Sequence, residues 1–341
     1  MNFGTYQSLK NLSANQQVGA LFLIVFGVLI LASVVTFLLS LKDYGDGISE
    51  EGHAQRRHHD LRNLEGVVST SWMMALVFWI GWMSGTGVAL VLFGFVSFFC
   101  LREFLTLSPT KRGDHRSLIL AFFVILPLQY WLVATERFEL FSVFIPVYVF
   151  LLIPVVSALA NDSDRFLERN AKLQWGIMVC IYGLSHVPAL LLLDFPKYDD
   201  KNSFLVFFLV IVVQSSQLVQ HLVSRIWRRK PFVPNISQSF NWLSVLAGIA
   251  VGSALGAALA GITPFVPGQA CVMALVACLA GALGHLVMKA LKRDRGIPIW
   301  RSDRGNALEG VTGAGGLLDR VDALCFAAPV FFHFVKWYFG I

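Results

Sequence analysis

Between positions 289 and 322 the chain gathers residue types that could handle phosphate. Lys289, Lys292 and Arg293 are spaced i, i+3, i+4, which on a helix sets three cations on one face. Such a face suits phosphate oxygens, and it suits equally well a positive anchor reaching to lipid headgroups. Next comes Gly310-Val311-Thr312-Gly313-Ala314-Gly315-Gly316, where missing side chains let backbone N–H groups approach an anion; a re-entrant turn is the plainer reading. The run leads into Asp319-Arg320-Val321-Asp322. Two carboxylates three apart at a helix start share a face and could present oxygens to a hard cation such as Mg²⁺. Acids in a first turn also offset the helix dipole, by about 0.3–1 kcal/mol. A second polar stripe, Gln214, Gln217, Gln220 and His221, lies inside an apolar run and fits either interhelical hydrogen bonding or a lipid-headgroup pocket. His186, beside Pro188, reads as a satisfied packing residue.

The elements that carry these residues follow from composition. Of 341 residues 56% are hydrophobic and 14% charged, against roughly 25% charged in soluble chains. That leaves too little polar side chain to cover a water-facing surface, which excludes a soluble enzyme, a disordered chain and a disulfide scaffold. About 20 apolar residues cross a bilayer as a helix. Runs long enough lie at 18–41, 72–100, 118–134, 139–160, 175–193, 203–222, 243–262, 270–288 and 322–339. The first reads as a retained anchor. The second, 72–100, is interrupted by Ser84-Gly85-Thr86-Gly87 and reads as a hairpin of two short helices. The expectation is an all-α polytopic membrane protein of nine or ten transmembrane helices, with an anchor helix and polar loop over 1–71 and a membrane domain over 72–341.

Charge orients the spans, because cytoplasmic loops retain Lys and Arg. With the hairpin, 22 of the 27 basic residues fall in five segments on one side: 42–71, 101–117, 161–174, 223–242 and 289–321. The net charge of +6 therefore reflects topology, and no nucleic-acid partner is expected. The loop 42–71, with Asp43, Asp46, Glu50 and Glu51 ahead of His53, Arg56, Arg57, His58 and His59, reads as a solvated connector or a membrane-surface contact. Cys100, Cys180, Cys271, Cys278 and Cys325 all sit in apolar runs without metal-ligand spacing and read as packing residues. Pro127, Pro146, Pro154 and Pro188 fall inside spans, where they bend helices.

The stretch from Lys292-Arg293-Asp294 to Gly313-Ala314-Gly315-Gly316-Leu317-Leu318-Asp319-Arg320-Val321-Asp322 resembles the signature of the phosphatidate cytidylyltransferase (CDP-diacylglycerol synthase) family. That signature has a Lys-Arg pair, a Lys-Asp pair, then Pro-Gly-His-Gly-Gly-x-x-Asp-Arg-x-Asp ahead of the last span. Arg102-Glu103-Phe104 adds a diffuse likeness. The resemblance implies that CTP and phosphatidate, or a related lipid phosphate, give CDP-diacylglycerol and pyrophosphate with Mg²⁺. It assigns Lys292, Arg293, Asp319 and Asp322 to catalysis, and Gly313, Gly315, Gly316 and Arg320 to nucleotide and phosphate, where Lys289 joins them on its spacing. The ion would fall to Asp319, Asp322, Asp303 and Asp294. Departures are Lys289 for a Ser, His285 for an Asp, Thr312 and Ala314 for the Pro and His, and Gln217 for an intramembrane Asp. Ser302-Asp303 stands in for the Lys-Asp pair, and of a second motif only Ser237 and Trp242 remain. Two other readings stay open: a non-catalytic relative binding an anionic lipid or a membrane partner, and a transporter, which no inverted repeat supports. The expected location is a bacterial inner membrane with basic loops cytoplasmic, as a homodimer or with a membrane-protein partner.

Overall fold

The computed structural model describes residues 84–106, 111–195, 202–227, 229–237, 240–296 and 316–340, with scattered helical positions between 19 and 79. The chain divides into two compact units, 1–85 and 86–341. In the first, the Trp72 indole N–H donates to Ser33 Oγ at 3.0 Å, and Phe26 packs against Trp72 and Trp79 with ring centroids 5.5 and 6.1 Å away.

Within the second unit, seven helices among the described residues are long and apolar enough to cross a membrane. They are α1 Thr86–Thr106, α2 His115–Ala134, α3 Phe138–Ala158, α4 Phe166–Leu192, α5 Ser203–Ser224, α6 Trp242–Ile262 and α7 Pro267–Arg295. The chain is thus a multi-pass membrane protein, helical with no strand among the described residues. A further helix, α8 Leu318–Phe339, has the length of a span but carries Asp319, Arg320 and Asp322 at its start. The expected nine or ten spans are represented by seven; 18–41 and 72–83 lie largely outside the described residues. α1 begins after a turn at Ser84 and Gly85, whose φ of +83° only glycine adopts readily.

Contacts sort the connectors to two ends. At one end Glu103 meets the start of α8, Arg169 meets Asp114, and Lys289 meets Ser237. At the other, Phe339 packs on Phe195 and Phe265, and the Lys336 ammonium lies over the Phe138 ring. The first end is buckled by Arg169, which donates to Asp114 at 2.9 Å, to Asp162 at 2.7 Å and to the Asp164 carbonyl at 2.7 Å. Lys111 pairs with Asp164.

Small residues let the helices cross closely. A Cβ on Gly183 of α4 would collide with the Cys325 carbonyl of α8, and one on Gly284 of α7 with the Phe326 side chain. Three stretches widen into π-helix, 121–125, 144–149 and 177–183, and Pro127, Pro146 and Pro188 lie within or just beyond them. A proline supplies no N–H and its ring presses on the carbonyl four residues back, so the ladder slips by one residue there. The five cysteines are free thiols, four buried and Cys271 half-buried. His186 is fully buried among Phe141, Tyr182 and Phe332, as a packing residue would be. It is satisfied on one side only: Nδ1 meets the Tyr182 carbonyl at 2.7 Å, and Nε2 is without a hydrogen-bond partner.

Candidate functional site: paired cations and carboxylates at one end of the bundle

α7 is rich in Ala and Gly along the face that meets α5 and α8. At Gly281 a Cβ would lie 3.1 Å from Val213 of α5 and 3.5 Å from the Ala323 carbonyl of α8, which fixes how closely the three helices run. Continuing from Gly281 on that face come His285, Lys289 and Lys292, spaced four and three apart. α8 runs antiparallel to α7, and its first two turns bring Asp319 and Asp322 to the same level.

The pairing is specific. His285 Nδ1 and Asp322 Oδ2 are 2.7 Å apart, and Lys292 forms an ion pair with Asp319. With a carboxylate as partner, Nδ1 carries the hydrogen in the neutral ring. Asp322 is buried at 3% exposure, and its other oxygen accepts from the Ala323 N–H at 2.6 Å. Lys292 lies close to the end of α7 and Asp319 close to the start of α8, so this pair lies nearer the bundle end than the first. Lys289 donates to Ser237 Oγ at 3.2 Å.

Ser237 is buried in the connector between α5 and α6. That connector is ordered by the Phe232 N–H bonded to the Phe240 carbonyl, by Phe232 stacked on Trp242, and by a capping box between Asn241 and Ser244 that starts α6. From α5, Gln214 Nε2 donates to the Arg320 carbonyl at 3.2 Å, an interhelical hydrogen bond of the kind that was one of the two roles open to that stripe. Gln217 Nε2, one turn further along, is buried without a hydrogen-bond partner.

Glu103, at the end of α1, closes the cluster. Its two carboxylate oxygens accept from the N–H groups of Gly316 and Leu318 at 2.6 and 3.0 Å. Gly316 has φ +88°, the left-handed turn from which α8 starts.

Of the residues singled out from sequence, Lys289, Lys292, Asp319 and Asp322 converge. Arg293 and Asp294 do not join them: both are exposed, and Asp294 sits against its neighbour Arg295 at 3.5 Å. Of the triplet 289, 292 and 293, Lys289 and Lys292 face the cluster, and the third side chain on that face is His285. Gly316 is present at the site, but its N–H is engaged by Glu103. Arg320 is half-buried, meeting α5 through its backbone. Gly313, Gly315 and Asp303 lie outside the described residues.

Among the described residues no three His, Cys, Asp or Glu side chains are grouped to hold a metal. A dedicated cage is not what Mg²⁺ needs, since one or two carboxylates completed by substrate phosphates usually suffice. Asp319, with Asp322 behind it, fits that pattern.

The fold and this cluster define a multi-pass membrane protein with paired cations and carboxylates at one end of its bundle. The chain belongs to the cytidylyltransferase family, whose model matches residues 65–338. It is 31% identical over 272 residues to YnbB, an uncharacterized protein of Escherichia coli K12, covering 79% of this chain and 86% of that one. It is 32% identical over 131 residues to the phosphatidate cytidylyltransferase of Mycobacterium bovis, covering 37% and 40%. With the Mycobacterium leprae enzyme of the same name it shares 33% over 137 residues, covering 39% and 41%. The match thus spans about two fifths of the length of these mycobacterial enzymes.

Proposed function

We propose that the chain transfers a cytidylyl group from CTP to phosphatidate or a closely related lipid phosphate, as a membrane enzyme of phospholipid metabolism. The observation that carries this reading is the convergence of Lys289 and Lys292 with Asp319 and Asp322 at one end of the bundle. The names of the mycobacterial relatives support the choice of substrates. The relatives are bacterial, and basic connectors cluster at the site's end of the bundle, so this end faces the cytoplasm of a bacterial inner membrane.

In the reaction a phosphate oxygen of the lipid attacks the α-phosphorus of CTP, and pyrophosphate leaves. Negative charge grows on the bridging and pyrophosphate oxygens, and positioned cations stabilise it there. Lys292 would turn from Asp319 to these oxygens, with Lys289 beside it and Arg293 reaching from the bundle end. Asp319 would hold Mg²⁺, which supplies Lewis-acid stabilisation of the phosphate charge when bound, and Asp322 behind it would add its negative charge to the site. His285 keeps Asp322 oriented through Nδ1.

Purified protein given CTP, Mg²⁺ and phosphatidate in mixed micelles should release pyrophosphate and form a cytidine-bearing lipid. Absence of both products with phosphatidate and several other lipid phosphates, in folded protein, would overturn the proposal.

A further inference from the structure

The sequence provides α8 with no cap of its own. Its N-cap position is Leu317, which offers no side-chain acceptor, and the first N–H groups of any helix lack intrahelical partners. The acceptor arrives from α1: Glu103 bridges the N–H groups of Gly316 and Leu318, more than two hundred residues along the chain. The flanking residues that place Glu103 are Leu101 and Phe104, both buried against Gly176 of α4, where even a Cβ would come within 2.9 Å of the Phe104 ring. The carboxylate is thus held by rigid packing on one side and by two backbone donors on the other. Asp319 follows Leu318 directly.

We propose that Glu103 is a positioning residue that sets the place of Asp319 opposite Lys292 by bracing the turn from Gly316 to Leu318. It acts through the backbone. Both of its oxygens are engaged by N–H groups, so it is not the group that meets substrate or ion. Its effect on turnover rests on the reaction proposed above, whereas its effect on the turn and on the Lys292–Asp319 pair does not.

The test compares wild type with Glu103→Ala and Glu103→Gln in the full chain in lipid nanodiscs. Hydrogen exchange followed by mass spectrometry should show faster exchange over 316–321 in Glu103→Ala, with α2 and α3 unchanged. Lys292, released from its partner, should label faster with an amine-reactive reagent. In turnover, the Mg²⁺ concentration for half-maximal rate should rise about tenfold or more, the scale seen when groups orienting a metal ligand are removed. Glu103→Gln, which keeps one acceptor, should fall between. Wild-type exchange over 316–321 with wild-type Lys292 labelling would overturn the inference. So would a loss of rate at unchanged Mg²⁺ dependence, the mark of a smaller folded fraction. Should wild type itself make no product, the proposed reaction fails, and the exchange and labelling results still decide the role of Glu103.

Discussion

His285 of α7 and Asp322 of α8 meet at 2.7 Å, and they join the two helices on which the candidate site is built. Asp322 is buried at 3% exposure, so the contact supports a carboxylate that water cannot reach. Removing the imidazole leaves that carboxylate short of a partner, at a cost of about 1–3 kcal/mol. His285→Ala should therefore lower the unfolding temperature in detergent by several degrees, while His285→Asn, which still donates, should lower it less. Equal losses for the two would show that the ring contributes only packing.

Asp319→Asn separates chemistry from stability. The amide can still accept from Lys292, so the unfolding temperature should stay near wild type. Under the proposed reaction the turnover should fall by about 10² or more, because a charged ligand at the reacting phosphates is gone. Pyrophosphate release alongside a thermal melt reads both quantities. A variant with wild-type turnover would remove Asp319 from the site.

Helix crossing at Gly183 predicts a sharp steric effect. A methyl group there meets the Cys325 carbonyl, which is backbone and cannot swing aside. Gly183→Ala should destabilise by about 1–3 kcal/mol, as overpacking does. Gly87→Ala in α1, where nothing lies within 4 Å, should leave the melt unchanged or slightly raised. Thermal unfolding of the pair in one detergent makes the comparison.

Acid should loosen the end of the bundle buckled by Arg169. Asp162 is held below the usual carboxylate value by the Asp164 N–H and then by Arg169; Asp164 is held low chiefly by Lys111. For groups whose folded pKa is depressed, the stabilisation is present above the unfolded value and disappears as pH falls through the folded one. The melting temperature should stay level from neutrality down to about pH 5 and drop below about pH 4. Asp162→Asn should reduce that acid-side drop, as followed by melts across pH; an unaltered profile would place the acid sensitivity elsewhere.

Much of this was readable from residue order, and the parts that were not share a cause. Apolar run length predicts α1 to α7, because a bilayer demands continuous hydrocarbon-compatible helix. The terminal carboxylates are conspicuous because charge at the head of an apolar helix is rare. Glu103 left only a diffuse trace, since its partners are backbone N–H groups over two hundred positions away. One signal could have found it: a lone acid near the end of an otherwise apolar span. The stripe of His285, Lys289 and Lys292 was masked by the adjacent Arg293, and only the position of α8 shows which face of α7 matters. The Arg169 network joins Asp114 to Asp162 through tertiary contact, which no local spacing encodes.

The ion pair between Lys292 and Asp319 has a consequence for what the protein admits. A bare anion arriving at Lys292 would strand the aspartate, and a bare divalent ion arriving at Asp319 would strand the lysine. A visitor that brings both signs together strands neither, since each half trades one counterion for another. Under the proposed reaction the resting site would in this sense be an exchanger, favouring a preassembled salt over either of its ions alone.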